Sequence, residues 1–216
     1  MAVARESGRM RIGIIGAGHI GGTAAKLFAQ AGHDVAVSNS RDPASLDPLV
    51  SSIGPRAKAT TPADAATFGE VILLAIPWRR ADQLPSADRF AGKIVIDAMN
   101  PYSAAGRVMD VGESTSSEEV AKRLPGSRVV KAFNTMGWKT LETSGRPSSK
   151  DRLAVFVAGD DAAAKATVAK LIEEIGFAAL DTGSLRDGGR RQQPGSPIYG
   201  RPMTASEGSE ILRRRP

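Results

Sequence analysis

The chain has 216 residues, enough for one domain, or one domain with a small annex, around a proper hydrophobic core. Its sequence contains no cysteine, which excludes disulfides, thiol catalysis and Cys-based metal sites. The formal charge of +6 is scattered along the chain rather than striped, and aromatic residues make up only 5%, so nucleic acid is not expected; phosphorylated or carboxylated small molecules explain the sign as well.

Met1 to Arg9 reads as a flexible tail without the apolar core of a signal segment. Arg11 to Ile15 is an apolar strand that runs into Gly16-Ala17-Gly18-His19-Ile20-Gly21, the spacing G-x-G-x-x-G. Gly16 permits the tight turn, Gly18 lets backbone approach a pyrophosphate, and Gly21 lets the following helix pack closely on the sheet. That helix is predicted over Ile20 to Ala31, closed by Gly32, and its N-terminus offers free N–H groups and a positive dipole end to an anion. A second strand follows over Asp34 to Ser38.

At the end of the second strand, about twenty residues beyond the glycines, a ribose-binding Asp or Glu is the usual occupant. Here the chain reads Ser38-Asn39-Ser40-Arg41. Arg41 offers a planar, permanently charged fork to a phosphate, and Ser38, Asn39 and Ser40 add small donors. The pattern predicts NADP(H) with its 2′-phosphate. In the competing reading Arg41 is a solvated charge and Asp42 binds NAD, although Asp42 stands before Pro43, where it would start the next turn.

Beyond this unit, Asp42 to Ser52 reads as a loop with a short helix, and Ala57 to Thr60 as a third strand. Thr61 caps a helix with Pro62 at its first position. Strands are predicted over Val71 to Ile76, Lys93 to Asp97, Arg128 to Phe133, Leu153 to Ala158 and Phe177 to Leu180. Thr115-Ser116-Ser117-Glu118 is a capping box opening a helix to Leu124. Asp160 or Asp161 caps another helix, which Gly176 stops. Asp181 to Pro216 reads as loop with a final short helix, and Arg213 to Arg215 as a frayed terminus.

This alternation predicts an α/β fold, a Rossmann-type doubly wound and mostly parallel sheet over residues 10–180, with a small C-terminal annex and tail over 181–216. The carboxyl ends of the strands gather around one cleft, which collects Gly16 to Gly21, Ser38 to Arg41, Ala75-Ile76-Pro77, Asn100, Asn134 and Thr135. The three uncharged polar residues suit a ribose or a carboxamide, although turn-capping is an equally plain role for them. His19 and His33 sit in loops and do not assemble a metal site. No apolar run is long enough to span a bilayer, so a cytoplasmic protein with no membrane attachment is expected.

No Ser-His-Asp grouping, paired carboxylates, or Lys or Tyr at a typical catalytic spacing face this cleft. Hydride passed directly between two rings needs stacking and alignment more than a proton donor. Two functions fit: an NADPH-dependent oxidoreductase acting on a flat ring acceptor, and a non-catalytic NADP-binding module that senses the cofactor ratio through a partner. A homodimer is compatible with either.

The sequence resembles the NADPH-dependent reductases of the deazaflavin coenzyme F420. The resemblance is carried by Ile12 to Gly21, Ser38-Asn39-Ser40-Arg41, Leu73-Leu74-Ala75-Ile76-Pro77-Trp78, Asp97-Ala98-Met99-Asn100-Pro101, Val130 to Thr135 and Gln192-Gln193-Pro194-Gly195. The oxidoreductase domains of membrane ferric reductases look similar too. What the family implies is a compact Rossmann domain whose annex covers a deazaflavin lying over the nicotinamide, with F420 as co-substrate and a flavin as the alternative acceptor. On that resemblance Ser40 and Arg41 would hold the 2′-phosphate, and His19 and Ile20 the pyrophosphate turn. Ile76 and Pro77 would pack near the nicotinamide, with Asn134 and Thr135 on its polar side. Arg186, Arg190 and Arg191, in the loop after the final strand, are read either as solvated surface charges or as a basic rim that steers the anionic tail of F420.

Overall fold

The computed structural model describes residues 8–146 and 151–214. The first seven residues of the expected tail, and Arg215 of the expected frayed terminus, lie outside them. Arg9 is held: its guanidinium makes two bonds of 2.8 and 2.7 Å to the Asp34 carboxylate.

Eight strands form one sheet: β1 (Arg11–Ile15), β2 (Asp34–Ser38), β3 (Ala57–Thr60), β4 (Val71–Leu74), β5 (Ile94–Asp97), β6 (Arg128–Lys131), β7 (Ala154–Gly159) and β8 (Ala178–Gly183). Their order is β3-β2-β1-β4-β5-β6-β7-β8, so the strand order reverses between β1 and β4. The first six strands are parallel, β7 runs antiparallel to β6, and β8 pairs in parallel with β7. The register places Thr60, Ser38, Ile15, Leu74, Asp97 and Lys131 in one row across the parallel part. The residues that follow each of them therefore emerge side by side at the carboxyl edge.

Helices α1 (His19–Gln30), α2 (Asp47–Ile53), α3 (Pro62–Phe68), α4 (Ser116–Arg123), α5 (Trp138–Thr143), α6 (Ala162–Glu174), α7 (Asp187–Arg191) and α8 (Ala205–Arg213) cover both faces. Side chains alternate along each strand, so the buried strands carry apolar residues on both sides. Ile12, Ile14, Val35, Val37, Leu73 and Ile96 meet α1, α5 and α6 on one face. Ile15, Ile72, Leu74 and Val95 meet α3 and α4 on the other. A third cluster sets Ala154 and Phe156 of β7 against Ile198, Met203 and the α8 residues Ile211 and Leu212.

The predicted ends hold where local chemistry sets them. Thr61 accepts from the Asp64 N–H, Thr115 and Glu118 form the capping box, and Asp161 accepts from the Ala164 N–H. Gly32 and His33 close α1 through N–H bonds to Ala29 O and Phe28 O, a two-bond closure that requires the positive φ of Gly32 (98°). His33 is buried: its Nδ1 accepts from the Met10 N–H, which leaves Nε2 to donate to Glu174 at 2.9 Å. It ties the α1–β2 turn to α6 as a neutral ring.

Other expectations require correction. β4 ends at Leu74 and β6 at Lys131, two residues earlier than predicted; Ala75 and Ala132 each still donate one bond to the neighbouring strand, to Ile15 O and Asp97 O, as the chain leaves the sheet. β8 continues to Gly183, and the segment from Asp181 contains α7 as well as α8 rather than loop with one helix. Helix α5 had no expected counterpart. Arg213 belongs to α8 and Arg214 pairs with Glu210 at 2.6 Å, so both are ordered parts of the annex.

Candidate functional site

The three glycines of the first turn meet different surroundings. Gly16 has φ of 109°, and a Cβ there would lie 2.4 Å from the Ala75 carbonyl oxygen. A Cβ on Gly21 would lie 1.8 Å from the Gly16 carbonyl oxygen. Both are glycine because backbone crosses them at contact distance. Gly18 differs: its φ is an ordinary −74°, and no atom lies within 4 Å of an added Cβ. Nothing in the protein itself demands glycine at Gly18, and the open space lies at the N-terminus of α1. That is the cradle a pyrophosphate needs.

A groove of about 220 Å³ runs from this turn across the end of the sheet. Gly16 and Gly18 form one part of its wall, Asn39 and Ser40 another, and Ala75, Ile76 and Pro77 its floor. Seven of the residues expected from sequence are thus brought to one place. Ile15, Pro62, Arg80 and Gln83 complete the lining and had not been expected. The signal for Arg80 was available, since Arg79-Arg80 directly follows the Pro77 turn, but the 3-10 turn over Trp78–Gln83 that carries it into the groove is irregular.

The loop after β2 is built by its own side chains. Asn39 Oδ1 accepts the Arg41 N–H at 2.8 Å, and Asn39 Nδ2 donates to Ser45 Oγ at 3.0 Å. Asp42 caps the following 3-10 turn by accepting from the Ala44 N–H at 2.8 Å. Its Oδ1 starts that turn, as the position before Pro43 suggested. Ser40 and Arg41 are exposed. Ser38 is corrected: it is fully buried and its hydroxyl donates to Ile14 O at 3.0 Å, so it joins β2 to β1 and presents nothing to the groove.

His19 is exposed at the start of α1, where its ring stacks on Trp138 of α5 with centroids 4.4 Å apart and 8° between planes. Ile20 packs partly buried against the main core. The stack makes the rim of the turn from two distant segments, and no local pattern announces it.

Asn100, Asn134 and Thr135, in the turns after β5 and β6, are not among the residues that line this groove. Asn100 and Asn134 exchange bonds. Asn100 Nδ2 donates to Asn134 O at 3.0 Å, and Asn134 Nδ2 donates to Asn100 Oδ1 at 3.1 Å and to Gln192 O at 2.8 Å. Thr135 accepts at its carbonyl from the Gly200 N–H at 2.9 Å. Asn134 and Thr135 are each 5% exposed. Of the two roles expected for them, ribose or carboxamide partner and turn cap, these bonds serve the second: they lock the β5 and β6 turns to each other and to the annex. Asn134 Oδ1 is left without a protein partner. Phe133, just before it, holds φ of 64°, the only positive φ at a described residue other than glycine. Its ring meets Phe28 edge-on at 6.1 Å. A bulky side chain in that region costs roughly 1–3 kcal/mol, which the surrounding packing must offset.

The annex adds a pair that sequence reasoning missed. Tyr102 and Tyr199, 97 positions apart, join hydroxyl to hydroxyl at 3.2 Å. Burial, and then the bond from Tyr102, raise the Tyr199 phenol above the usual tyrosine range. Beside them lies an apolar cavity of about 580 Å³ between the 197–201 loop and the end of α8. Ile198, Ile211 and Leu212 form its floor, and Arg191, Arg201 and Arg214 its margin. Of the basic rim expected from sequence, Arg191 lines this cavity and donates to Leu212 O, Arg190 donates to Glu113 O, and Arg186 is exposed. Among the described residues no group of His, Cys, Asp and Glu could hold a metal ion, and no helix is long and apolar enough to cross a membrane.

Comparison with known proteins agrees with this geometry. Residues 11–101 match the model of the family described as NADP oxidoreductase, coenzyme F420-dependent. A hypothetical protein from Sinorhizobium meliloti is 34% identical, with 92% of this chain and 96% of that one covered and a TM-score of 0.80. A candidate F420-dependent NADP-reductase from Arthrobacter sp. is 30% identical, covering 94% and 90%, with a TM-score of 0.71. An imine reductase from Myxococcus stipitatus, solved with NAD+, shares the fold at 19% identity and a TM-score of 0.61. This chain spans 60% of that larger protein.

Proposed function

The chain belongs to the family of coenzyme F420-dependent NADP oxidoreductases, and from that premise we propose that it transfers a hydride directly between NADP(H) and the flat ring of F420. The observation that carries the cofactor half is the cradle at Gly18, open within 4 Å and continuous with the groove under Ser40. When bound, NADP(H) supplies the hydride at its nicotinamide ring. The backbone N–H groups at the start of α1 take the pyrophosphate, and the exposed Ser40 and Arg41 take the 2′-phosphate. Ile76 and Pro77 give the floor on which the ring-bearing half is aligned.

The acceptor half is supported by the annex. The Gly200 N–H bond to Thr135 O fastens the 197–201 loop, which lines the apolar, arginine-margined cavity, to the β6 turn. A flat ring with a phosphate and a carboxylate-bearing tail matches an apolar floor with cations at its edge. The test is a spectrophotometric screen of NADPH oxidation with F420, FMN and FAD as acceptors. Turnover with F420, well above that with either flavin, is expected. Turnover with FMN or FAD alone reassigns the acceptor, and no turnover with any of them favours a cofactor-sensing role.

A further inference from the structure

Lys131 and Asp97 are both fully buried, face each other in the β5–β6 register, and have no role in the hydride reading above. Lys131 Nζ lies 3.5 Å from Asp97 Oδ2, 3.2 Å from Met99 O and 3.3 Å from Ser116 Oγ, so all three of its donors are engaged. Asp97 Oδ2 also accepts from Ser117 Oγ at 2.6 Å, and Oδ1 accepts the Met99 N–H at 3.0 Å. The pair thus grips Met99 through both its N–H and its carbonyl, one residue before Asn100. It is also fastened to the N-terminus of α4, whose cap Thr115 donates to Leu185 O of the annex.

A buried ion pair is weak evidence for stability, because desolvating two charges offsets most of their attraction, and apolar replacements of both are often neutral. What such a network supplies is a single geometry. Three residues after Lys131 stands Asn134, and the Asn100–Asn134 exchange closes the ring: Asp97, Met99, Asn100, Asn134, Lys131. The ring ends at the half-filled amide of Asn134, whose Oδ1 is buried without a protein partner.

We propose that Lys131 and Asp97 are positioning residues for the nicotinamide end of the groove, holding the 97–101 and 131–135 turns in the one arrangement that receives that half of the dinucleotide. This rests on the reading of the groove as an NADP(H) site with its nicotinamide toward these turns. It makes no use of the acceptor's identity.

The test compares the affinities of NADP+ and adenosine 2′,5′-bisphosphate, which shares the adenosine end and lacks the nicotinamide half. In the unaltered protein NADP+ should bind more tightly. The double variant K131M/D97N removes both charges, so its thermal unfolding should stay near that of the unaltered protein. It should bind the bisphosphate unchanged while binding NADP+ about tenfold more weakly, the scale of one lost hydrogen bond. K131Q/D97N is the second variant, should the first one fail to fold; it also removes both charges but keeps a polar donor at position 131, and it should shift the same ratio in the same direction. A folded variant with an unchanged ratio, or with both ligands weakened alike, overturns the proposal and leaves the pair a structural one. Equal affinity for the two ligands in the unaltered protein overturns the reading of the nicotinamide end itself.

Discussion

Removal of the Arg41 side chain isolates the choice of cofactor. The guanidinium is exposed, and its own backbone is fixed independently by Asn39 Oδ1. Arg41→Ala therefore deletes the fork without loosening the loop that carries Ser40. Charge-assisted hydrogen bonds contribute about 1.5–3 kcal/mol each, less at an exposed site, so a bidentate contact with some help from Ser40 amounts to about 2–4 kcal/mol. NADP(H) should accordingly bind roughly 30- to 900-fold more tightly than NAD(H), and Arg41→Ala should remove most of that ratio while NAD(H) affinity hardly moves. Fluorescence titration with NADPH and NADH measures both constants. Repeating it as salt rises past about 0.1–0.2 M should shrink the ratio, because an exposed contact is screened. Equal affinities in the unaltered protein, or an equal loss for both cofactors in the variant, would refute the reasoning.

The glycine turn gives a contrast between neighbours. Gly18→Val should fold with an unchanged unfolding temperature and lose NADPH binding, whereas Gly21→Ala should lose about 1–3 kcal/mol or more of stability, since its Cβ meets the Gly16 carbonyl at 1.8 Å; normal NADPH binding by Gly18→Val would refute the cradle. Neutralising Arg190 and Arg191 together should slow turnover with F420 at low salt, an effect that fades above about 0.1–0.2 M, with NADPH affinity unchanged; unaltered kinetics at low ionic strength would remove the basic rim. For Tyr199 the folded phenol is harder to ionise than the unfolded one, so its contribution to stability is complete below the ordinary value of about 10 and is lost as pH rises beyond it. In Tyr102→Phe, where Tyr199 is the last tyrosine, burial alone should still hold back the phenolate absorbance to above that value. Its appearance at or below about 10 in the folded protein would count against the burial.

The strand–turn–helix over Arg11 to Gln30, the third strand and the three capped helices were legible because each depends on residues within a few positions of one another. Glycine spacing, N-cap hydroxyls and alternating apolar runs act through backbone sterics and local hydrogen bonds, which the order of residues carries in full. The 2′-phosphate reading has the same character: a carboxylate is absent from the end of β2, and Arg41 stands there instead.

Tertiary structure decided what depends on distant partners. Whether Ser38 faced the groove or the sheet turned on Ile14, 24 residues away, and the sheet claimed it. The polar groups of Asn100 and Asn134 fit a ligand or a local turn equally well in sequence, but in the fold they find each other and Gln192 across 34 and 58 positions. Arg80 reaches the groove, Trp138 stacks on His19 and Tyr199 meets Tyr102 because the sheet order brings β1, β4, β5 and β6 side by side and the annex bonds to the turns after β5 and β6. A chain determines by itself the conformations that neighbouring residues prefer. Which donors remain open to a ligand is settled only after the packed fold has satisfied its own buried polar groups, because a buried group left unpaired costs more than a ligand contact returns.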